Sequence, residues 1–212
     1  KPWFLQVNFV GPHEPLDPTV RMRARWANIS QLSLPTGSTE LSEAVHHEVR
    51  RSYAAMVENI DTWLGRYIEF LDKKALRHNT LIAYAADHGE QLGDYGKWAK
   101  TEPERGSLLV PLVLAGAGVR PRAPVATPVD LVDLARTVLD WAAVQPARTL
   151  SGSSLRLALE GGELRWQARV AGLGAWRAYS DGKHKYVHNW RRENSLSQPS
   201  LLLQAWNASA SA

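Results

Sequence analysis

Asp87 and His88 stand side by side where a short apolar run, Leu81 to Ala86, stops and Gly89 follows. A carboxylate beside a neutral imidazole offers oxygen and nitrogen ligands to a divalent cation. Two neighbouring side chains converge on one ion only if the backbone turns, and Gly89 permits a sharp turn. Two ligands do not complete a site, so others must come from elsewhere. The competing reading is a pair of polar residues opening a surface turn, and residue types alone leave both open. Lys100, further along the same loop, is a point charge on a flexible stem and suits a tetrahedral oxyanion. Lys97 is its local competitor, and either reads equally well as a solvated loop lysine. His13, after Gly11-Pro12, reads by itself as solvated polar surface.

These residues need elements to position them. Leu81 to Ala86 carries no charge and is expected to be a strand covered on both faces. Gly89, Gly93 and Gly96 then mark a loop. Trp3 to Val10 reads as a second strand from its aromatic and β-branched content, ended by Gly11-Pro12. A parallel sheet would bring the loops after both strands, hence His13 and Asp87, to one edge. Glu48 to Lys74 repeats apolar residues at helical spacing, from Val49, Tyr53 and Met56 to Tyr67 and Leu71, and should pack on that sheet. His46 and His47 near its start, and His78 beyond its end, are read as solvated.

Between these elements, Leu16 to Leu41 is expected to be irregular, with a turn at Pro35-Thr36-Gly37-Ser38. Arg21, Arg23 and Arg25 form a solvated basic face or meet an anion. Asn28-Ile29-Ser30 fits a glycosylation acceptor, a pattern that recurs by chance. Leu108 to Ala115 reads as a strand with Pro111 at its middle, which favours an edge or a bulge. Gly116-Ala117-Gly118 lacks the spacing of a dinucleotide loop. Asp130 to Val144 is a second amphipathic helix. Further on, Gly152 to Glu160 suggests a helix and Trp166 to Val170 a strand. Ala175 to Ser180 and Lys185 to His188, joined by Asp181-Gly182, form a hairpin. His184 and His188 would share one face of it, as a metal pair or as surface histidines.

The 212 residues suffice for one large domain or two small ones. No apolar run approaches a membrane span. The net charge of +4 is spread without long like-charge blocks, and no nucleic-acid module is recognisable, so neither a membrane nor a nucleic acid is the expected partner. There is no cysteine, which excludes disulfides and thiolate metal sites.

The text from Asp87 to Lys100, Asp-His-Gly-Glu-Gln-Leu-Gly-Asp-Tyr-Gly-Lys-Trp-Ala-Lys, resembles the sulfatase family of the alkaline phosphatase superfamily. There the usual text is Asp-His-Gly-Glu-X-Leu-Gly-Asp-His-Gly-X-Trp-X-Lys. The match is ungapped and reaches Gly106-Ser107 and Val110-Pro111-Leu112, where the family has Gly-Ser-X-Arg-Val-Pro-Leu. The resemblance implies metal binding by Asp87 and His88, and sulfate binding by Lys100 and by His13 of a His-X-Pro loop. It also implies a divalent cation, Ca2+ first with Mg2+ or Mn2+ as alternatives. The family's nucleophile is a formylglycine made from a Cys/Ser-X-Pro-Ser-Arg motif that this sequence lacks, together with the early aspartates of the metal site. Tyr95 replaces the family's second His, Leu109 stands where Arg is usual, and Glu102-Pro103-Glu104 is acidic for a loop approaching an anion.

The resemblance covers roughly the second half of a typical sulfatase, so the chain reads as the later part of a longer protein or a truncated one. The expected fold is α/β: a mixed, largely parallel sheet flanked by helices over 1–148, a small antiparallel subdomain over 149–192, and a divergent or disordered tail over 193–212. The expected function is sulfuric ester hydrolysis on a small anionic ester, with the nucleophile supplied from outside this chain, which would be inactive alone. The alternatives are a phosphodiesterase or phosphonate monoester hydrolase of the same superfamily, and an inactive anion-binding or interaction remnant. A homo-oligomer is compatible with the sequence.

Overall fold

The structure, a computed structural model, describes residues 1–29, 32–37 and 40–189. Ser30 of the glycosylation pattern, Ser38 of the expected turn and the expected tail over 193–212 lie outside the described residues. The chain divides into two units, one of residues 1–77 with 90–99, the other of 78–89 with 100–212.

The first unit is built on two helices, α1 (Val20–Trp26) and α2 (Glu43–Lys73). α1 lies in the stretch expected to be irregular. Thr19 starts it by accepting the Met22 N–H at 3.3 Å, and helix-forming Arg, Met and Ala residues carry it on. Its basic residues are not left to solvent as a group: Arg23 and Arg25 pair with Glu48 and Glu58 of α2, and the Trp26 indole N–H donates to Glu58 at 2.8 Å. α2 begins five residues before the expected Glu48. That places His46 inside the helix, on the stripe continued by Val49 and Tyr53, where it is buried at 1% exposure rather than solvated. Trp3 to Val10 is not a strand. It makes no ladder bonds, and Trp3, Phe4, Leu5 and Val10 are exposed. β-propensity describes how well a residue fits a pleated surface that is already there; without a neighbouring strand it fixes nothing.

In the second unit β1 (Leu81–Ala85) pairs with β2 (Leu112–Gly116), and α3 (Arg105–Leu108) precedes β2. α4 (Val132–Trp141) and α5 (Arg156–Leu159) follow, then a three-stranded sheet of β3 (Arg169–Leu173), β4 (Trp176–Ser180) and β5 (Lys185–Asn189). The expected C-terminal hairpin is present. His184, however, lies in its turn rather than on β5, so the pairing with His188 on one strand face is not formed.

The largely parallel sheet is corrected by the structure: among the described residues every strand pair is antiparallel. The reason lies after β1. The Gly89 N–H donates to the Ser107 carbonyl at 2.8 Å, closing the intervening loop at its base. The chain therefore returns at the end of β1 where it left, and β2 must run the other way. β1 is also half-exposed rather than covered on both faces. Pro111 falls just before β2, where its missing N–H costs the ladder nothing.

Asp133 ties the later elements together. It is fully buried, accepts the Ser153 N–H at 2.8 Å and the Asp130 N–H at 2.9 Å, and pairs with Arg169 of β3 at 3.0 Å. One turn on, the Thr137 hydroxyl donates to the Asp133 carbonyl and accepts the Leu155 N–H. α4 thus holds both the start of α5 and the edge of the C-terminal sheet.

Candidate functional site

Asp87 and His88 follow β1 after Ala86, and the backbone does turn there. Gly89 is needed for a different reason from the one expected. Its φ is not left-handed. Instead, a Cβ at this position would lie 2.0 Å from the Gly106 carbonyl oxygen, so only glycine allows the two strands of the loop base to touch.

Asp87 Oδ1 accepts the His88 N–H at 3.0 Å, which fixes the carboxylate against the turn. The His88 Nδ1 lies 2.9 Å from the Gly89 carbonyl oxygen. A carbonyl only accepts, so Nδ1 carries the hydrogen, which in the neutral ring puts the lone pair on Nε2. A backbone carbonyl on the far ring nitrogen is the usual orienting partner of a metal-binding histidine. Nε2 stands 3.6 Å from Asp87 Oδ2, a separation that two ligands of one cation at roughly 2.3–2.6 Å can share. The two residues therefore fit a divalent cation as neighbouring ligands. They do not complete its shell: no group of three or more His, Cys, Asp or Glu gathers among the described residues.

The loop over 90–99 is organised within the first unit. The Glu90 carboxylate accepts the Ala99 N–H at 2.6 Å and the Leu92 N–H at 3.2 Å, and the Gln91 N–H donates to the Ala99 carbonyl at 3.0 Å. Both ends of the loop are thereby tied together. Arg50 of α2 donates to the Leu92 carbonyl at 3.0 Å and to Asp94 Oδ1 at 3.2 Å, and the same oxygen accepts the Thr36 N–H. His46 stacks on Trp98 with centroids 5.7 Å apart. Gly93, at φ +89°, lies so close that a Cβ would meet the His46 ring at 2.6 Å. Tyr95, in place of the family's second His, is exposed and held through its backbone N–H by the Thr36 carbonyl.

Lys100 follows this loop, half-buried, in the second unit with Asp87 and His88. His13 is exposed in the first unit, between two cis X-Pro bonds, with Nδ1 2.7 Å from the Glu14 carbonyl oxygen. The parallel sheet that would set His13 at the same edge as Asp87 is not formed, so that argument for the pairing falls away. Glu90, Arg50 and His46 were not singled out from the residues. Glu90 had a signal in the ungapped family text, and His46 in its place on the α2 stripe.

The family model for Sulfatase matches residues 1–144. Choline-sulfatase of Rhizobium meliloti is 30% identical over 220 residues, covering 89% of this chain and 42% of that protein. Arylsulfatase K of Gallus gallus is 35% identical over 116 residues, 55% of this chain and 22% of its own. Among solved structures, the phosphonate monoester hydrolase SpPMH from Silicibacter pomeroyi is 26% identical with a TM-score of 0.65, over 72% of this chain and 35% of that one. The Bacteroides fragilis yidJ protein superposes with a TM-score of 0.72 over 84% of this chain and 42% of that one; at 20% identity this likeness is one of fold. The chain spans less than half the length of these proteins. The ungapped text from Asp87 to Lys100 and the match over residues 1–144 place this chain in the sulfatase family.

Proposed function

We propose that the chain is part of a sulfuric ester hydrolase in which Asp87 and His88 hold a divalent cation, and Lys100 and His13 bind the sulfate oxygens. The observation that carries the reading is the Asp87–His88 turn: Oδ2 and Nε2 are 3.6 Å apart, and Nδ1 is committed to the Gly89 carbonyl. The family text favours Ca2+, with Mg2+ or Mn2+ as alternatives. When bound, such a cation polarises the ester and lowers the pKa of the attacking group. Lys100 neutralises charge on the sulfate oxygens and favours departure of the leaving oxygen. For His13 the support is the family text alone. The nucleophile is not among these residues, since the sequence has no cysteine and no Cys/Ser-X-Pro-Ser-Arg motif. Under this reading the purified chain turns over neither aryl sulfate nor a phosphonate monoester.

A phosphonate monoester hydrolase is the second reading, because SpPMH shares the fold at 26% identity and tetrahedral sulfate and phosphonate groups are near-isosteric. The test is an NMR titration of the full chain with inorganic sulfate, repeated with methylphosphonate. The reading predicts shifts at the Lys100 side chain and the His13 ring that vanish in Lys100→Met. Shifts confined to other residues, or unchanged in that variant, would contradict it. Tighter binding of methylphosphonate would favour the second reading.

A further inference from the structure

The residues on either side of Lys100 both have left-handed backbone: Ala99 at φ +59° and Thr101 at φ +81°. For a β-branched residue such as Thr this is an outlier, and it persists only where surrounding bonds over-determine it. On the Thr101 side those bonds come from the C-terminal sheet. The Trp176 indole N–H of β4 donates to the Thr101 carbonyl at 2.8 Å, and the Lys185 Nζ of β5 donates to the Pro103 carbonyl. In the sheet register Lys185 stands opposite Ser180, which lies on the same face of β4 as Trp176 and Ala178. Both donors therefore project from one face. Trp176 is 9% exposed and Lys185 4%. Burying an ammonium group costs free energy unless it is compensated, so a lysine this deeply buried invites an explanation.

We infer that Trp176 and Lys185 are positioning residues for Lys100. Together they grip the Thr101 and Pro103 carbonyls and hold the strained backbone beside Lys100 in the arrangement that aims its side chain. The C-terminal sheet then belongs to the oxyanion-binding machinery and is more than an appendage to it. This inference rests on the proposed role of Lys100 in binding a tetrahedral oxyanion. Geometry of this kind is what fixes an electrostatic contact before the ligand arrives.

The test uses the full chain and inorganic sulfate, titrated by NMR, with Lys185→Met, Trp176→Phe, Lys100→Met and the double variants. Trp176→Phe keeps the ring and removes only the indole N–H, so the fold survives there if it does not in Lys185→Met. Each single variant should weaken sulfate binding about three- to tenfold, and amide exchange should rise at residues 101–103. The decisive readout is non-additivity: in the Lys100→Met background, neither change should weaken binding further. An equal further loss in that background would show a merely structural role and overturn the inference. Undiminished binding in Trp176→Phe, with Lys100→Met still defective, would also overturn it while leaving the role of Lys100 intact. Binding unchanged in Lys100→Met would overturn both.

Discussion

Trp3 to Val10 and Leu81 to Ala85 carry the same kind of text, apolar and aromatic residues followed by a candidate site histidine, yet they end differently. The second becomes a strand, paired over its length with β2 and followed by a loop that Gly89 and Ser107 close at the base. The first has no ladder, and its large side chains face outward. The histidines that follow are alike in one local bond, each with Nδ1 on the carbonyl of the next residue. Asp87 also accepts the His88 N–H, whereas the His13 N–H donates to the Val10 carbonyl. A suitable sequence supplies only an inclination; bonds between residues far apart in the chain turn it into an element.

If that is right, the largest cost should appear where most such bonds meet. Asp133→Asn leaves Arg169 without its buried anion and should destabilise the second unit by about 3–5 kcal/mol, read by chemical denaturation. Gly89→Ala drives a Cβ into the Gly106 carbonyl and should cost about 3 kcal/mol, with loss of protection from exchange in β1 and β2 but not in α2.

Asp181 offers a smaller contrast, because its bonds are local. The His184 N–H, then the Lys183 N–H, hold its pKa down to about 2. A depressed carboxyl contributes stability above its unfolded pKa and loses it as the pH falls through the folded value. The stability difference between the parent chain and Asp181→Asn should therefore be constant near neutrality and shrink from about pH 4 to about pH 2. Phe4→Ser, at 74% exposure, should change stability by less than about 0.5 kcal/mol. A large loss there would mean that Trp3 to Val10 is packed after all, and the comparison would fail.

The legible parts of this molecule were those written locally. The α2 stripe, the C-terminal hairpin and the turns at Gly93 and Gly96 follow from spacing and turn chemistry. Strand direction was not legible, because it depends on a bond from Gly89 to Ser107 that no short-range pattern records. α1 was hidden by Pro18 just before it and by its arginines, although Thr19 before a run of helix formers was a usable cap signal. Among the site residues, Asp87, His88 and Lys100 stand out by text. Trp176 and Lys185 do not, since both act on main-chain carbonyls.

The central claim is that Asp87 and His88 share one cation. Titrating the chain with Mn2+ and following paramagnetic broadening tests it most directly. The account predicts early broadening of the signals of Asp87, His88 and Gly89, reversed by excess Ca2+ and absent in Asp87→Asn. Broadening that starts elsewhere, or that persists unchanged in Asp87→Asn, would contradict it.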